Sequence, residues 1–295
     1  MGVVDHGQAA AGVGLGLNGG MTTWLITGCS SGLGRALAGA VLARGDNAVV
    51  TARDVGAVAG LVDGYPETAL AVALDVTDGG QVAGAVARAE ERFGGVDVLV
   101  NNAGYGYRAA VEEGDDADVQ RLFATNFFGA VALIKAVLPG MRERRRGTIV
   151  NISSIGARIS PAGSGYYAAV KAALEGLTGS LRAELEPLGI RAFAVEPGLF
   201  RTDFAGRSLT QSADAIGDYA STAGPRRKEN DRVHGTQPGD PDKAARVMIA
   251  AVESAAPPSV LVLGADAVEA FGGVLDRQRA ELEQWRELGT STDFD

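Results

Sequence analysis

From residue 21 onward the chain alternates between short, wholly apolar runs and longer stretches in which apolar side chains return every three or four positions. The short runs are Trp24 to Thr27, Ala48 to Ala52, Leu70 to Leu74, Val96 to Val100, Thr148 to Ile152, Arg191 to Val195 and Val260 to Leu263. Runs of this length without polar alternation suit strands buried on both faces. The stretches between most of them, Leu33 to Ala43, Gln81 to Phe93, Val119 to Met141, Tyr167 to Leu185 and Lys243 to Val252, suit helices with one apolar face. Because each parallel crossover needs a helix, this alternation predicts an α/β fold: a doubly wound, parallel, seven-stranded sheet with helices on both faces, in a single domain over residues 21–264.

Three stretches depart from the pattern. Residues 1–20 hold seven glycines and almost no charge, and read as a flexible leader or as sequence upstream of an alternative start at Met21. Residues 203–240 are rich in Gly, Ser, Asp and Pro and end in the charged patch Pro225 to Arg232; so long a connection inside a compact domain predicts a substrate lid with short helices. Residues 265–295 form a tail whose helix, Ala265 to Leu288, is expected to stop at Gly289 and to serve packing or oligomer contact.

Composition narrows the function classes. At 46% hydrophobic and 21% charged the chain can build a large core. The net charge of −9 opposes nucleic-acid or anionic-membrane binding through the overall field. No apolar stretch of about 18 residues lacks a charge, and no basic segment leads into an apolar one at the N-terminus, so neither a membrane span nor a signal peptide is expected and the cytoplasm is the expected location. Cys29 is the sole cysteine and His6 and His234 the only histidines, too few for a disulfide or a Cys/His metal cluster. No metal is expected, although carboxylate-only sites stay open.

Two motifs carry chemistry. Thr27-Gly28-Cys29-Ser30-Ser31-Gly32-Leu33-Gly34 follows the first strand and opens a helix. Glycines there let the backbone turn sharply and approach a pyrophosphate, which the amides of the helix N-terminus attract. The same residues fit G-x-S-x-G, the nucleophile elbow of a hydrolase, with Ser30 attacking, Asp203 or Asp218 as acid and His234 as base. Against that, the elbow follows the first strand, no HGGG-type oxyanion loop precedes it, and His234 lies in the least patterned part of the chain. The second motif is Tyr167-Ala168-Ala169-Val170-Lys171. The chain has only four lysines, and one of them stands four residues after a tyrosine. On a helix the two share a face, so the ammonium is expected to lower the phenol pKa from about 10 by about 1–3 units. Tyr166 has only Val170 at the corresponding place.

With Asn101-Asn102-Ala103-Gly104 after the fourth strand, Ser153-Ser154 after the fifth, and Pro197-Gly198 with Thr202 after the sixth, the chain resembles the short-chain dehydrogenase/reductase superfamily from Thr23 to about Gly264. The resemblance implies hydride transfer between a nicotinamide and a carbonyl or secondary alcohol. Tyr167 would give the proton, Ser154 would hold the carbonyl oxygen, Lys171 would assist Tyr167 and hold the nicotinamide ribose, and Asn126 would position a relay water; a helix–helix hydrogen bond is the plain alternative for Asn126. Ser153 is expected to be structural, since adjacent strand-end residues face opposite ways.

Cofactor contacts carry over to Gly28, Ser30, Ser31, Gly32, Leu33 and Gly34 at the pyrophosphate, Asp75 and Val76 at the adenine, Asn102, Ala103 and Gly104 near the adenosine ribose, and Pro197, Gly198 and Thr202 at the nicotinamide end. Asp75 has a competing role as cap of the next helix. The resemblance puts Ala52 where an acid would bind the ribose of NAD(H), with Arg53 beside it, which favours NADP(H); Asp54 is expected to cap the following short helix. Partners are expected to be a medium-sized carbonyl or alcohol, perceived through a wall of residues 203–240, Tyr105, Tyr107, Arg108 and Ile155 to Ile159, and further copies of the chain in a homodimer or homotetramer formed through the two long helices.

Overall fold

The computed structural model describes residues 21–206, 208–227 and 235–294; the glycine-rich leader, His234 and the charged patch from Lys228 on lie outside them. Seven parallel strands form the central sheet: β1 (Thr23–Ile26), β2 (Asn47–Ala52), β3 (Ala69–Ala73), β4 (Val98–Asn101), β6 (Gly147–Ile152), β7 (Ile190–Pro197) and β9 (Val260–Leu263), in the spatial order β3-β2-β1-β4-β6-β7-β9. Two further strands, β5 (Gly106–Arg108) and β8 (Leu209–Gln211), pair in parallel away from the sheet. The sheet is the doubly wound one expected. Each predicted strand is found within three residues of its predicted bounds, whereas β5 and β8 are too short to leave a periodic signal.

Alternate residues of each strand feed two separate cores. Trp24, Ile26, Val50, Val100, Phe193 and Val195 face α1 (Gly32–Ala43) and α8 (Pro241–Glu253), which contribute Leu37, Val41, Met248 and Val252. On the other side Leu25, Val49, Leu99 and Ile149 meet α3 (Gly79–Phe93), α5 (Gly129–Arg144) and α7 (Gly165–Leu185) through Val82, Val86, Leu133, Val137, Leu181 and Leu185. By length and composition the helical run Asp116–Arg144 could cross a membrane, but here Leu133, Ile134, Val137 and Met141 are buried against the sheet.

Two helical expectations need correction. The stretch predicted as one helix over 119–141 is α4 (Asp116–Phe123) and α5 joined by a wider π turn, Ala124–Phe128. The terminal helix α9 (Ala265–Thr290) runs through Gly289 rather than stopping there, and from Leu275 to Thr290 every residue is exposed. The other short helices are α2 (Ala59–Val62) and α6 (Gly156–Ile159). The strand order reverses between β1 and β4, and such a switch point opens a crevice beyond the carboxyl ends of the strands.

Candidate active site

The crevice is built first from backbone. Gly28 and Gly32 have φ of 71° and 61°, the left-handed region that side chains disfavour. At Gly34 a Cβ would stand 2.4 Å from Asn102 Nδ2 and 2.6 Å from the Gly28 carbonyl oxygen. Thr27 Oγ1 accepts from the amides of Asn102 (2.9 Å) and Ala103 (2.8 Å), while Asn102 Nδ2 donates to the carbonyls of Thr27 (2.8 Å) and Gly28 (3.1 Å). The Asn102 side-chain nitrogen thus latches the glycine turn to the end of β4. Ser31, at the N-cap of α1, makes no capping side-chain bond, which leaves the first-turn amides of Leu33 and Gly34 for an anion. Cys29 beneath is buried, and desolvation pushes its thiol up to about 12, so it contributes packing rather than charge.

Along the rim, Ala52 is buried, Arg53 is exposed, and Asp54 accepts from the Gly56 amide at 2.9 Å, capping the short turn that follows. Asp75 does not cap the next helix. Asp78 does, accepting from the Gly80 and Gln81 amides, while Asp75 Oδ1 accepts from the amide and hydroxyl of Thr77 at 2.9 and 2.7 Å. Those Thr77 bonds hold the Asp75 carboxyl below its ordinary pKa, with the Arg53 charge adding to the effect. Val76 is buried, with Cγ2 where a Cβ on Gly129 would sit.

At the other end, Pro197 closes β7 and its carbonyl accepts from Ile155 N at 3.1 Å. Gly198 N donates to Leu263 O (2.8 Å), and a Cβ on Gly198 would stand 2.4 Å from Asp266 Oδ1. Thr202 packs 3.3 Å from the place of a Cβ on Gly32 and accepts from Phe204 N. These residues and the glycine turn therefore share one wall. A dinucleotide fits the donor set: uncapped helix amides, glycines at close approach, and a basic side chain at the end of β2.

Between the two ends stand the chemical groups. The Gly156 amide donates to Ser154 Oγ at 3.0 Å, which turns that hydroxyl toward Tyr167. Ser153 points the other way, buried against Glu175 and the Lys171 carbonyl. Lys171 is buried, with Nζ 5.8 Å from the centre of the Tyr167 ring and donating to the Ile152 carbonyl at 2.8 Å. Asn126, in the π turn, donates to the carbonyls of Leu122 (3.0 Å) and Tyr105 (3.2 Å), yet its buried Oδ1 has no partner among the described residues. π turns inside α-helices often mark functional sites. A Cβ on Gly104 would meet both Asn126 Oδ1 (2.4 Å) and Lys171 Nζ (3.5 Å), so glycine keeps that space open.

The lysine does not lower the phenol as the spacing suggested. Desolvation dominates and pushes Tyr167 up to about 12, against the opposing Ser154 hydrogen bond and Arg108 charge; the same burial draws Lys171 down to about 8. Tyr167 therefore stays protonated through neutral pH, which is the form that donates.

Beyond the Tyr167 ring the surroundings are held by side chains. Phe204 lies 5.9 Å from the Tyr167 ring. Glu113 accepts from Arg227 (2.7 Å) and from the amides of Ile216 (2.8 Å) and Ala110 (2.9 Å), which holds its carboxyl down to about 2. Arg227 also donates to the carbonyls of Ser212 and Asp214. Two residues expected in the wall are elsewhere. Tyr107 is buried against Tyr166 and accepts from Asp115 N, and Arg158 turns back to Glu175 and Glu196. Phe204 and Arg227 lie in the stretch 203–240 that the sequence marks only as a whole, and Glu113 carries no motif that distinguishes it from an ordinary loop residue.

A family model described as short chain dehydrogenase matches residues 22–213. Oxidoreductase BOA17 of Botryotinia fuckeliana is 38% identical over 270 residues, covering 91% of this chain and 98% of that protein. A short-chain dehydrogenase from Streptomyces avermitilis, of solved structure, is 44% identical with a TM-score of 0.87, over 93% of this chain and all of that one. A short chain dehydrogenase/reductase from Burkholderia phymatum in complex with NAD is 25% identical (TM-score 0.76; 90% and 95% of the chains), and one from Burkholderia cenocepacia in complex with NADP is 26% identical (TM-score 0.69; 90% and 97%).

Proposed function

Because the chain belongs to the short-chain dehydrogenase/reductase family, an oxidoreductase family, we propose that it is an NADP(H)-dependent ketoreductase or alcohol dehydrogenase for a medium-sized carbonyl or secondary alcohol. The observation that carries this reading is the meeting of Ser154, Tyr167, Lys171 and the unpartnered Asn126 Oδ1 beside an uncapped, glycine-lined helix start. A nicotinamide cofactor held at the glycine turn would supply or accept the hydride. Tyr167 Oη gives its proton to the carbonyl oxygen that Ser154 Oγ orients by hydrogen bonding. Lys171 Nζ, fixed by the Ile152 carbonyl behind the ring, would hold the nicotinamide ribose with its remaining donors, and Asn126 Oδ1 would accept from a water that returns a proton to the site.

Preference for NADP(H) rests on the end of β2. Ala52 offers no carboxylate, Asp54 is engaged with Gly56, and Arg53 is the exposed cation suited to a 2′-phosphate. The relatives bound to NAD and to NADP are about equally similar to this chain, so they do not bear on the choice. A carbonyl panel followed by NADPH absorbance, beside an ester panel, tests the reading. Carbonyl-dependent oxidation is expected; ester cleavage without it would restore the reading in which Ser30 is a nucleophile.

A further inference from the structure

Behind the tyrosine–lysine pair, on the side away from the crevice, lies a polar cluster with no part in the chemistry above. Ser153 Oγ donates to Glu175 Oε1. Arg158 Nη2 stands 3.0 Å from Glu175 Oε2 and 2.8 Å from Glu196 Oε1, and its Nε donates to the same Glu196 oxygen at 2.9 Å. Glu196, the residue before Pro197, is fully buried, and its Oε2 has no donor among the described residues. The groups facing Glu175 can be named element by element: Lys171 one turn back on α7, Ser153 from β6, Arg158 from α6 and Glu196 from β7. From α9 the Phe271 ring covers the Arg158 guanidinium at 5.2 Å.

An ionised carboxylate oxygen without a donor is among the costliest groups to bury, and the Arg158 guanidinium reaches Glu196 only at Oε1. A proton on Glu175 removes that fault, because the two carboxyls lie within hydrogen-bonding reach of each other and the protonated one can donate to Glu196. We propose, on the reading of Tyr167 and Lys171 given above, that Glu175 and Glu196 share one proton and that Glu175 is thereby a positioning residue that sets the pH range over which Lys171 keeps its charge. Burial, together with the Glu196 charge, pushes Glu175 up to about 7, against the opposing Ser153 bond and Arg158 charge, while Lys171 is drawn down to about 8.

As the pH rises past neutrality the shared proton leaves to solvent. The cluster then carries a negative charge one helical turn from the ammonium, where an opposite charge favours the charged form. The loss of one proton therefore delays the loss of the other. At lower pH the singly protonated pair together with Arg158 carries no net charge, and Lys171 needs no such support.

Glu175→Gln tests this because the amide oxygen can still accept from Arg158 while its NH2 donates to the Ser153 hydroxyl or to Glu196, and the amide cannot ionise. In the wild type a carbonyl-stretch infrared band of a protonated buried carboxyl should titrate near neutral pH, and Glu175→Gln should abolish it. The alkaline limb of kcat/KM should move to lower pH by about one unit in the variant, with little change below neutrality. A wild type without the titrating band overturns the shared proton whether or not turnover is found. A variant whose pH profile overlays that of the wild type overturns the positioning role. Absence of turnover in both proteins at every pH would count against the oxidoreductase reading and the positioning role that rests on it, with the infrared band still deciding the shared proton.

Discussion

The two ends of the crevice are held in different ways. At the glycine turn the shape comes from main chain and from side chains locked onto main chain: left-handed Gly28 and Gly32, Thr27 beneath two amides, Asn102 across two carbonyls. At the other end, beyond the Tyr167 ring, the shape comes from side chains clamping loops, with Glu113 and Arg227 joining the segment after β5 to the segment after β8. A backbone-built end tolerates few residue types and presents the same donors to any dinucleotide. An end clamped by side chains can be rebuilt by substitution, which is where substrate preference is free to vary.

The sharpest break between the ends is at the chemistry they share. Tyr167→Phe removes the proton donor and almost no volume, so turnover should fall about 10²–10⁴-fold while cofactor binding, governed by the glycine end, stays near wild type. Equal rates for mutant and wild type would remove Tyr167 from the reaction. Next in size, Arg227→Met removes the charged partner of Glu113 and leaves the carboxylate only the Ile216 and Ala110 amides, a loss of about 1.5–3 kcal/mol for a hydrogen bond between charged groups. It should appear as faster hydrogen exchange in residues 209–219 with the glycine turn still protected; unchanged exchange there would show that the clamp does not hold the loops.

The same carboxylate gives the clamp a pH signature. Glu113 is held down to about 2 from an ordinary value of 4.5, chiefly by the Arg227 hydrogen bond. Its stabilisation is therefore complete above about 4.5 and lost as the pH falls toward 2. In the wild type, proteolysis of this segment should rise over that interval before the core unfolds, and a single transition for both regions would contradict the separation. At the glycine end, Arg53→Ala should weaken NADPH binding at least tenfold, from a charge-assisted contact of about 1.5–3 kcal/mol, and leave NADH binding nearly unchanged. Equal losses for both cofactors would turn attention to Asp54. The smallest effect is expected for Tyr166→Phe, which loses one hydrogen bond to the Val111 carbonyl, about 0.5–1.5 kcal/mol, and keeps most of the turnover.

What could be read from the sequence follows the same division. Periodicity finds buried strands and long helices because burial imposes it, and glycine and asparagine motifs stand out because backbone geometry admits few residues. Asn102 shows the limit of a motif: it marks a constrained residue, but not that its side chain spans the Thr27 and Gly28 carbonyls. The Tyr167 shift was misjudged because an i, i+4 spacing reports proximity to a charge, whereas burial arises from the whole fold. Glu113, Arg227, Glu175 and Glu196 pair across distances of 21 to more than 100 residues, and no local pattern marks such pairs.

Tracing the hydride itself tests the central claim most directly. With a nicotinamide cofactor deuterated at the transferable ring carbon and a ketone that the wild type reduces, the product should carry deuterium at the carbinol carbon, and Tyr167→Phe should form that product at least a hundredfold more slowly. A product without the label, or label transfer at the wild-type rate in Tyr167→Phe, would contradict the account.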